Sequence, residues 1–163
     1  MTTFIKITPK DLQRTYDLAS EIWHDNYIGI ITQEQVDYML HMMYRSEKIK
    51  EDINNNYQWE LVYQENALIG YLSYVIKNDN RVFLSKIYLK NKSQGLGIGR
   101  KMLHRVIEYG KLNKCKAVYL TVNKNNIKGI RAYKGTGFKI INEEVTDIGD
   151  GYVMDDYIFE KNI

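Results

Sequence analysis

Between Arg81 and Leu112 a strand, a glycine-rich turn and a helix follow one another without a break, and this stretch limits what the chain can become. Val82, Leu84, Ile87, Tyr88 and Leu89 stand between the polar breakers Asn78-Asp-Asn80 and Asn91-Lys-Ser93, which predicts a strand over 81–89. From Ile98 to about Leu112 the period changes. Ile98, Met102, Leu103, Val106 and Ile107 share one helical face, while Arg100, Lys101, Arg105 and Glu108 fall away from it. Gln94-Gly-Leu-Gly-Ile-Gly99 joins the two, so three glycines at alternate positions bare a run of backbone N–H groups just before a helix. The first N–H groups of a helix lack an intrahelical acceptor, and the macrodipole adds about half a positive charge there. Such a junction suits an anion, a diphosphate above all. A structural turn with no ligand is the competing reading.

Two familiar phosphate loops are excluded. No Gly-Lys-Ser/Thr ends the run, which removes the P-loop, and the third glycine of a dinucleotide fingerprint would fall at position 100, which is Arg. What does match is Gln/Arg-x-x-Gly-x-Gly/Ala, as Gln94-Gly95-Leu96-Gly97-Ile98-Gly99. This run resembles the acyl-CoA pyrophosphate loop of the GNAT superfamily of N-acetyltransferases. A second stretch supports the resemblance: the strand Ala117–Val122, then Asn126 opening a helix, Tyr133 two turns on, and Gly137-Phe138 closing it. In that family these elements form the other wall of the cofactor cleft.

The rest of the chain accommodates such a fold. Phe4–Ile7 is a short strand stopped at Thr8-Pro9, where Thr8 is a helix N-cap and Pro9 the first helical residue. Leu12, Tyr16, Ala19, Ile22 and Trp23 recur at helical spacing, and Thr32-Gln-Glu-Gln35 restarts a helix whose apolar face is Val36, Met39, Leu40, Met43 and Tyr44. Residues 48–56 are polar and read as no more than a helical turn ending in Asn54-Asn-Asn56. Strands follow at 58–63 and 68–76, then the central stretch, and a last hairpin at 138–145 and 152–160. The order β-αα-β-β-β-α-β-α-β-β is that of the GNAT acyl-CoA N-acyltransferase fold. The resemblance therefore implies an α/β (α+β) class with a mixed central sheet, splayed between its two central strands, and helices on both faces. One domain over 1–163 is expected, since no linker, repeat or low-complexity segment interrupts the chain.

Composition narrows the setting. With 44% hydrophobic and 26% charged residues the chain reads as a soluble globular protein, and 23 basic against 20 acidic residues leave a net charge of only +3, no basis for nucleic-acid binding. The single Cys115 cannot close an internal disulfide, no signal-like segment opens the chain, and no apolar run approaches the ~18 residues of a membrane span. A cytoplasmic setting without membrane attachment is the expectation. The assembly state, monomer or homodimer, stays open. Most of the fourteen tyrosines are expected to pack half-buried with the hydroxyl in water.

The resemblance also implies chemistry. Acetyl-CoA would be the co-substrate, with its pantetheine arm on the backbone of Ile87 and Leu89. Its diphosphate would lie on the loop and helix start from Gln94 through Gly95, Leu96, Gly97, Ile98 and Gly99 to Arg100, with Asn126 and Tyr133 on the far wall. Tyr133 stands where the family places the general acid that protonates the departing thiolate; its competing reading is a tyrosine that anchors helix to sheet. The family's frequent basic residue two places after the Tyr is Gly135 here. Positions that carry a Glu or His base in other members are Phe83 and Ser85, so deprotonation falls to water held by Ser85 or to Glu60, His24 or Asp156. Trp23-His-Asp-Asn-Tyr27 and Gln35–Leu40 resemble stretches of bacterial members similar to the PaiA-type polyamine acetyltransferases. Trp23, His24, Tyr27 and Ser85 are accordingly expected near the acceptor, a small amine or polyamine. A protein amine acetyltransferase and a non-catalytic acyl-CoA sensor remain the alternatives. No metal is expected.

Overall fold

A computed structural model describes all 163 residues. The strands are β1 (Thr2–Lys6), β2 (Gln58–Gln64), β3 (Ala67–Ile76), β4 (Arg81–Leu89), β5 (Ala117–Asn123), β6 (Lys139–Gly149) and β7 (Tyr152–Asn162). The helices are α1 (Leu12–Asn26), α2 (Gln33–Tyr44), α3 (Ser46–Asn54), α4 (Ile98–Leu112) and α5 (Ile127–Gly135). The strands form one mixed sheet in the order β1-β2-β3-β4-β5-β7-β6. β4 and β5 pair in parallel over three positions at their first residues, Arg81↔Ala117, Val82↔Val118 and Phe83↔Tyr119, and the ladder stops there. That early stop is the splay expected of the central strands.

The chain clusters into two compact units, residues 1–75 with 86–103, and residues 76–85 with 104–163. In the first, β1, β2 and β3 form an antiparallel meander. α1 is preceded by a single 3₁₀ turn, Pro9–Asp11, rather than starting at Pro9, because the Asp11 carboxylate caps Thr8 by accepting from its backbone N–H (2.7 Å) and its hydroxyl (3.0 Å). α2 starts where its sequence indicates, with Thr32 Oγ1 accepting from the Gln35 N–H at 3.1 Å. α3 is a full helix and not a turn: Ile49 is completely buried and Asp52 nearly so, and Lys48 reaches Asp52 at 3.1 Å. One buried apolar residue, Ile49, sufficed where the composition looked uniformly polar.

Aromatic packing fills the first unit. Trp23 stacks on Tyr27 at 4.5 Å, Tyr71 stacks on Tyr88 at 5.3 Å and lies over Trp59 at 6.4 Å. Tyr44 and Tyr71 are fully buried with their hydroxyls 2.7 Å apart, and the Trp23 indole N–H points at both, 3.0 Å from each. These two hydroxyls do not reach water as expected; they satisfy one another and the indole inside the core. In the second unit β5, β7 and β6 form an antiparallel ladder, and α5 closes on Gly137 (φ +90°) and the buried Phe138. No helix is long and apolar enough to cross a membrane.

Candidate active site

The glycine loop belongs to the first unit. Gly95 and Gly97 hold φ of +77° and +78°, a left-handed conformation that costs a side-chain-bearing residue about 1–2 kcal/mol. A Cβ at either would meet nothing within 4 Å, so glycine is there for backbone shape and open approach, not to relieve crowding within the protein. Leu96 between them is 69% exposed, whereas Ile98 is buried at 3% and anchors the first turn of α4. Gln94 fixes the other end, donating from Nε2 to the Leu89 carbonyl at 3.1 Å and to Asn91 Oδ1 at 3.3 Å. The loop is therefore tied to the end of β4 at one side and seated in the core at the other. Its exposed backbone and the N–H groups that open α4 suit a diphosphate. Arg100 is exposed, and Lys101 lies 3.5 Å from Thr2 Oγ1. Ile87 is half-buried and Leu89 buried, with the Leu89 carbonyl taken by Gln94.

Asn126 and Tyr133 belong to the second unit. Asn126 caps α5, its Oδ1 accepting from the Gly129 N–H at 3.0 Å. Tyr133 is half-buried, its ring 5.9 Å from Phe138 and 6.0 Å from Phe159. Packing against these two rings holds the Tyr133 ring. Ser85, also here, is half-buried.

The residues expected at the acceptor differ in character. Trp23 is buried at 2%, with its indole N–H engaged by two tyrosines. Tyr27 is half-buried, with its hydroxyl 3.1 Å from that of Tyr88. His24 faces two acceptors, the Ser20 carbonyl at 2.7 Å from Nδ1 and Asp37 at 3.0 Å from Nε2. The Ser20 carbonyl first, and then Asp37, raise its pKa above the ordinary value. Among the other base candidates, Glu60 is buried at 1% and accepts from the Tyr74 hydroxyl at 3.3 Å. Asp156 is 6% exposed, and burial pushes its carboxyl up to about 6, with Asp155 and Glu144 adding repulsion.

One charged residue was passed over. Lys86 lies buried at 8%, its ammonium 5.1 Å from the Trp59 ring centre and 5.6 Å from that of Tyr44. Its place in the alternation Val82, Leu84, Lys86 was the available signal.

The chain compares with known proteins as follows. The profile of the Acetyltransferase (GNAT) family matches residues 13–138. The spermine/spermidine N(1)-acetyltransferase of Bacillus subtilis is 31% identical over 121 residues, 69% of this chain and 78% of that protein. The spermidine N(1)-acetyltransferase of Thermoplasma acidophilum is 28% identical over 158 residues, 92% of this chain and 93% of the relative. Among solved structures, the PaiA N-acetyltransferase from Thermoplasma acidophilum in complex with coenzyme A superposes with a TM-score of 0.84 at 26% identity, covering 100% of this chain and 99% of the other.

Proposed function

Because the chain belongs to the GNAT family of acetyltransferases, we propose that it moves the acetyl group of acetyl-CoA onto a primary amine of a small polyamine, spermidine or spermine being the first acceptors to test. The observation that carries this reading is the glycine loop: two left-handed glycines before a helix start, pinned by Gln94 to Leu89, suit a coenzyme diphosphate. Two relatives that align with most of the chain are named for polyamine acetylation. A cytoplasmic setting accords with the one free, buried cysteine.

Acetyl-CoA supplies the acetyl group as an activated thioester. What the protein must add is positioning and proton management. A primary alkylamine has a pKa near ~10.4, so only about one molecule in ~10³ is nucleophilic at pH 7, and a group or water must take its proton. The leaving thiol, at ~8.5, must receive one. Tyr133, its ring packed against Phe138 and Phe159, is the proton donor in this reading. Gln94 through Arg100 hold the diphosphate, Ile87 and Leu89 the pantetheine amides, and Asn126 shapes the start of α5.

The test mixes protein, acetyl-CoA and a panel of amines that includes spermidine, putrescine and a lysine peptide, and follows free thiol. Saturable thiol release with polyamines is expected. Tight acetyl-CoA binding without amine-dependent release would make the protein a sensor, and preference for the peptide would make it a protein acetyltransferase.

A further inference from the structure

Charge is unevenly distributed along the chain. The β6–β7 ribbon, residues 139–162, contains seven acidic residues and two lysines, although the chain as a whole is net positive. The register of the ribbon divides these carboxylates. Glu143 pairs across with Tyr157 and Val145 with Asp155, which places Glu143 and Asp155 on one face; Glu144 pairs directly with Asp156 on the opposite face. On the first face Lys124 neutralises the charge, 2.8 Å from Asp155 and 3.3 Å from Glu143. On the second no cation lies within ion-pair distance, and Lys124 only partly offsets the charge of Asp156. Asp156 and Glu144 face each other across the ladder, an arrangement of like charges that destabilises a sheet. Asp156 is also 6% exposed as a residue, with its carboxylate oxygens still touching solvent, and neither carboxylate makes a hydrogen bond or ion pair within the protein. On its other side Asp156 pairs with Asn123, the last residue of β5. The three strands thus carry a row of Asn123, Asp156 and Glu144, with the Asn123 Oδ1 already accepting from the Asn125 N–H at 2.9 Å, three residues before the Asn126 cap of α5.

An ionised carboxylate with little access to water, without a protein donor and opposite a second carboxylate, costs free energy that a cation would relieve. We propose that Asp156 and Glu144 bind an ammonium group of the acceptor, with Asp156 as the principal contact. An alkylammonium fits the chemistry: its N–H donors match two carboxylates on one face, and its charge relieves the repulsion between them. The inference rests on the polyamine reading above and assigns it an anchoring site that neither the glycine loop nor Tyr133 supplies.

The experiment measures the affinity of spermidine by calorimetry and its KM by thiol release, for wild type and for D156N, E144Q and E143Q, with the acetyl-CoA affinity of each variant as the check on the fold. D156N keeps the shape and is expected to weaken spermidine by about 10- to 100-fold, the range for losing a charge-assisted hydrogen bond from a buried site. E144Q, at an exposed residue, is expected to weaken it by about two- to fivefold. E143Q, on the Lys124 face, should leave it unchanged. Wild-type spermidine affinity should also fall between pH 7.5 and pH 5 as Asp156, faced by Glu144 from β6, Asp155 on β7 and Lys124 after β5, takes up a proton; in D156N that fall should be absent. Full spermidine affinity in D156N, or equal losses in E143Q and E144Q, would overturn the assignment. Should the wild type neither bind nor acetylate any amine, the acceptor reading itself fails; if it does both and D156N matches it, only this site falls.

Discussion

The ammonium of Lys86 lies 5.1 Å from the centre of the Trp59 indole, over the ring face and out of water. Burial lowers its pKa to about 8, with Lys48 pushing the same way and Asp52 opposing. The unfolded lysine titrates near ~10.4, so between about pH 8 and 10 the unfolded chain holds a proton that the folded one has lost, and stability must rise with pH across that window. A gain of about 2–3 kcal/mol is expected between pH 7.5 and 10, read by denaturant unfolding. K86M should abolish the rise, and at pH 7 it should be no less stable than wild type, since a buried ammonium is exchanged for a matching apolar chain. A wild-type curve that is flat or falling there would mean the ammonium is solvated.

Two glycines should fail in different ways. Gly97→Ala adds a methyl group to open space, so the fold should hold. The left-handed backbone is penalised by about 1–2 kcal/mol, and CoA affinity should drop about tenfold as the loop relaxes. Gly70→Ala instead drives a Cβ to 2.4 Å from the Tyr88 carbonyl and 2.8 Å from Leu89 Cδ2, which should cost about 1–3 kcal/mol in stability. Thermal melts and CoA titration on both variants separate the two effects. Equal CoA affinity for Gly97→Ala and wild type would remove the loop's role.

What the sequence discloses depends on whether a feature is local. The limits of β4 at Arg81 and Leu89, of α4 at Ile98 and Leu112, and the Asn126 cap were legible because alternation, helical period and capping are written in neighbouring residues. α3 was underread because a single fully buried Ile49 anchors an otherwise polar helix. The Tyr44–Tyr71–Trp23 hydrogen bonds join residues 21 to 48 positions apart, and no local pattern announces them. The same holds for Glu144 opposite Asp156: that the two carboxylates share a face follows from a register that is shifted between Ile140 and Asn142, which a reading of alternation alone cannot supply.

Tyr133 invites a test that separates chemistry from packing. Its ring is fixed by Phe138 and Phe159, so Tyr133→Phe should preserve the melting temperature and acetyl-CoA affinity while lowering kcat by about 100-fold, the scale of losing a general acid. Steady-state kinetics with calorimetry decides it. Unchanged kcat would leave Tyr133 as an anchor of α5 and nothing more.

Asp156 should reveal its unmet charge in stability as well as in binding. Its folded pKa of about 6 lies above the ~3.9 of an unfolded aspartate, raised first by burial and then by Asp155 and Glu144, with Lys124 partly offsetting them. Between about pH 4 and 6 the folded protein therefore keeps a proton that the unfolded chain has released. Stability from this group is complete below about pH 4 and is lost as pH rises through 6. D156N removes the penalty. At pH 7 it should be more stable than wild type by about 1–2 kcal/mol once solvent screening is allowed for, and the two should converge below about pH 4. Denaturant unfolding at four pH values measures the difference. A variant that gains stability while losing spermidine is what a carboxylate kept for a cationic ligand predicts. A variant that is less stable at pH 7 would mean that the protein already satisfies Asp156, and the reason to assign it a ligand would be gone.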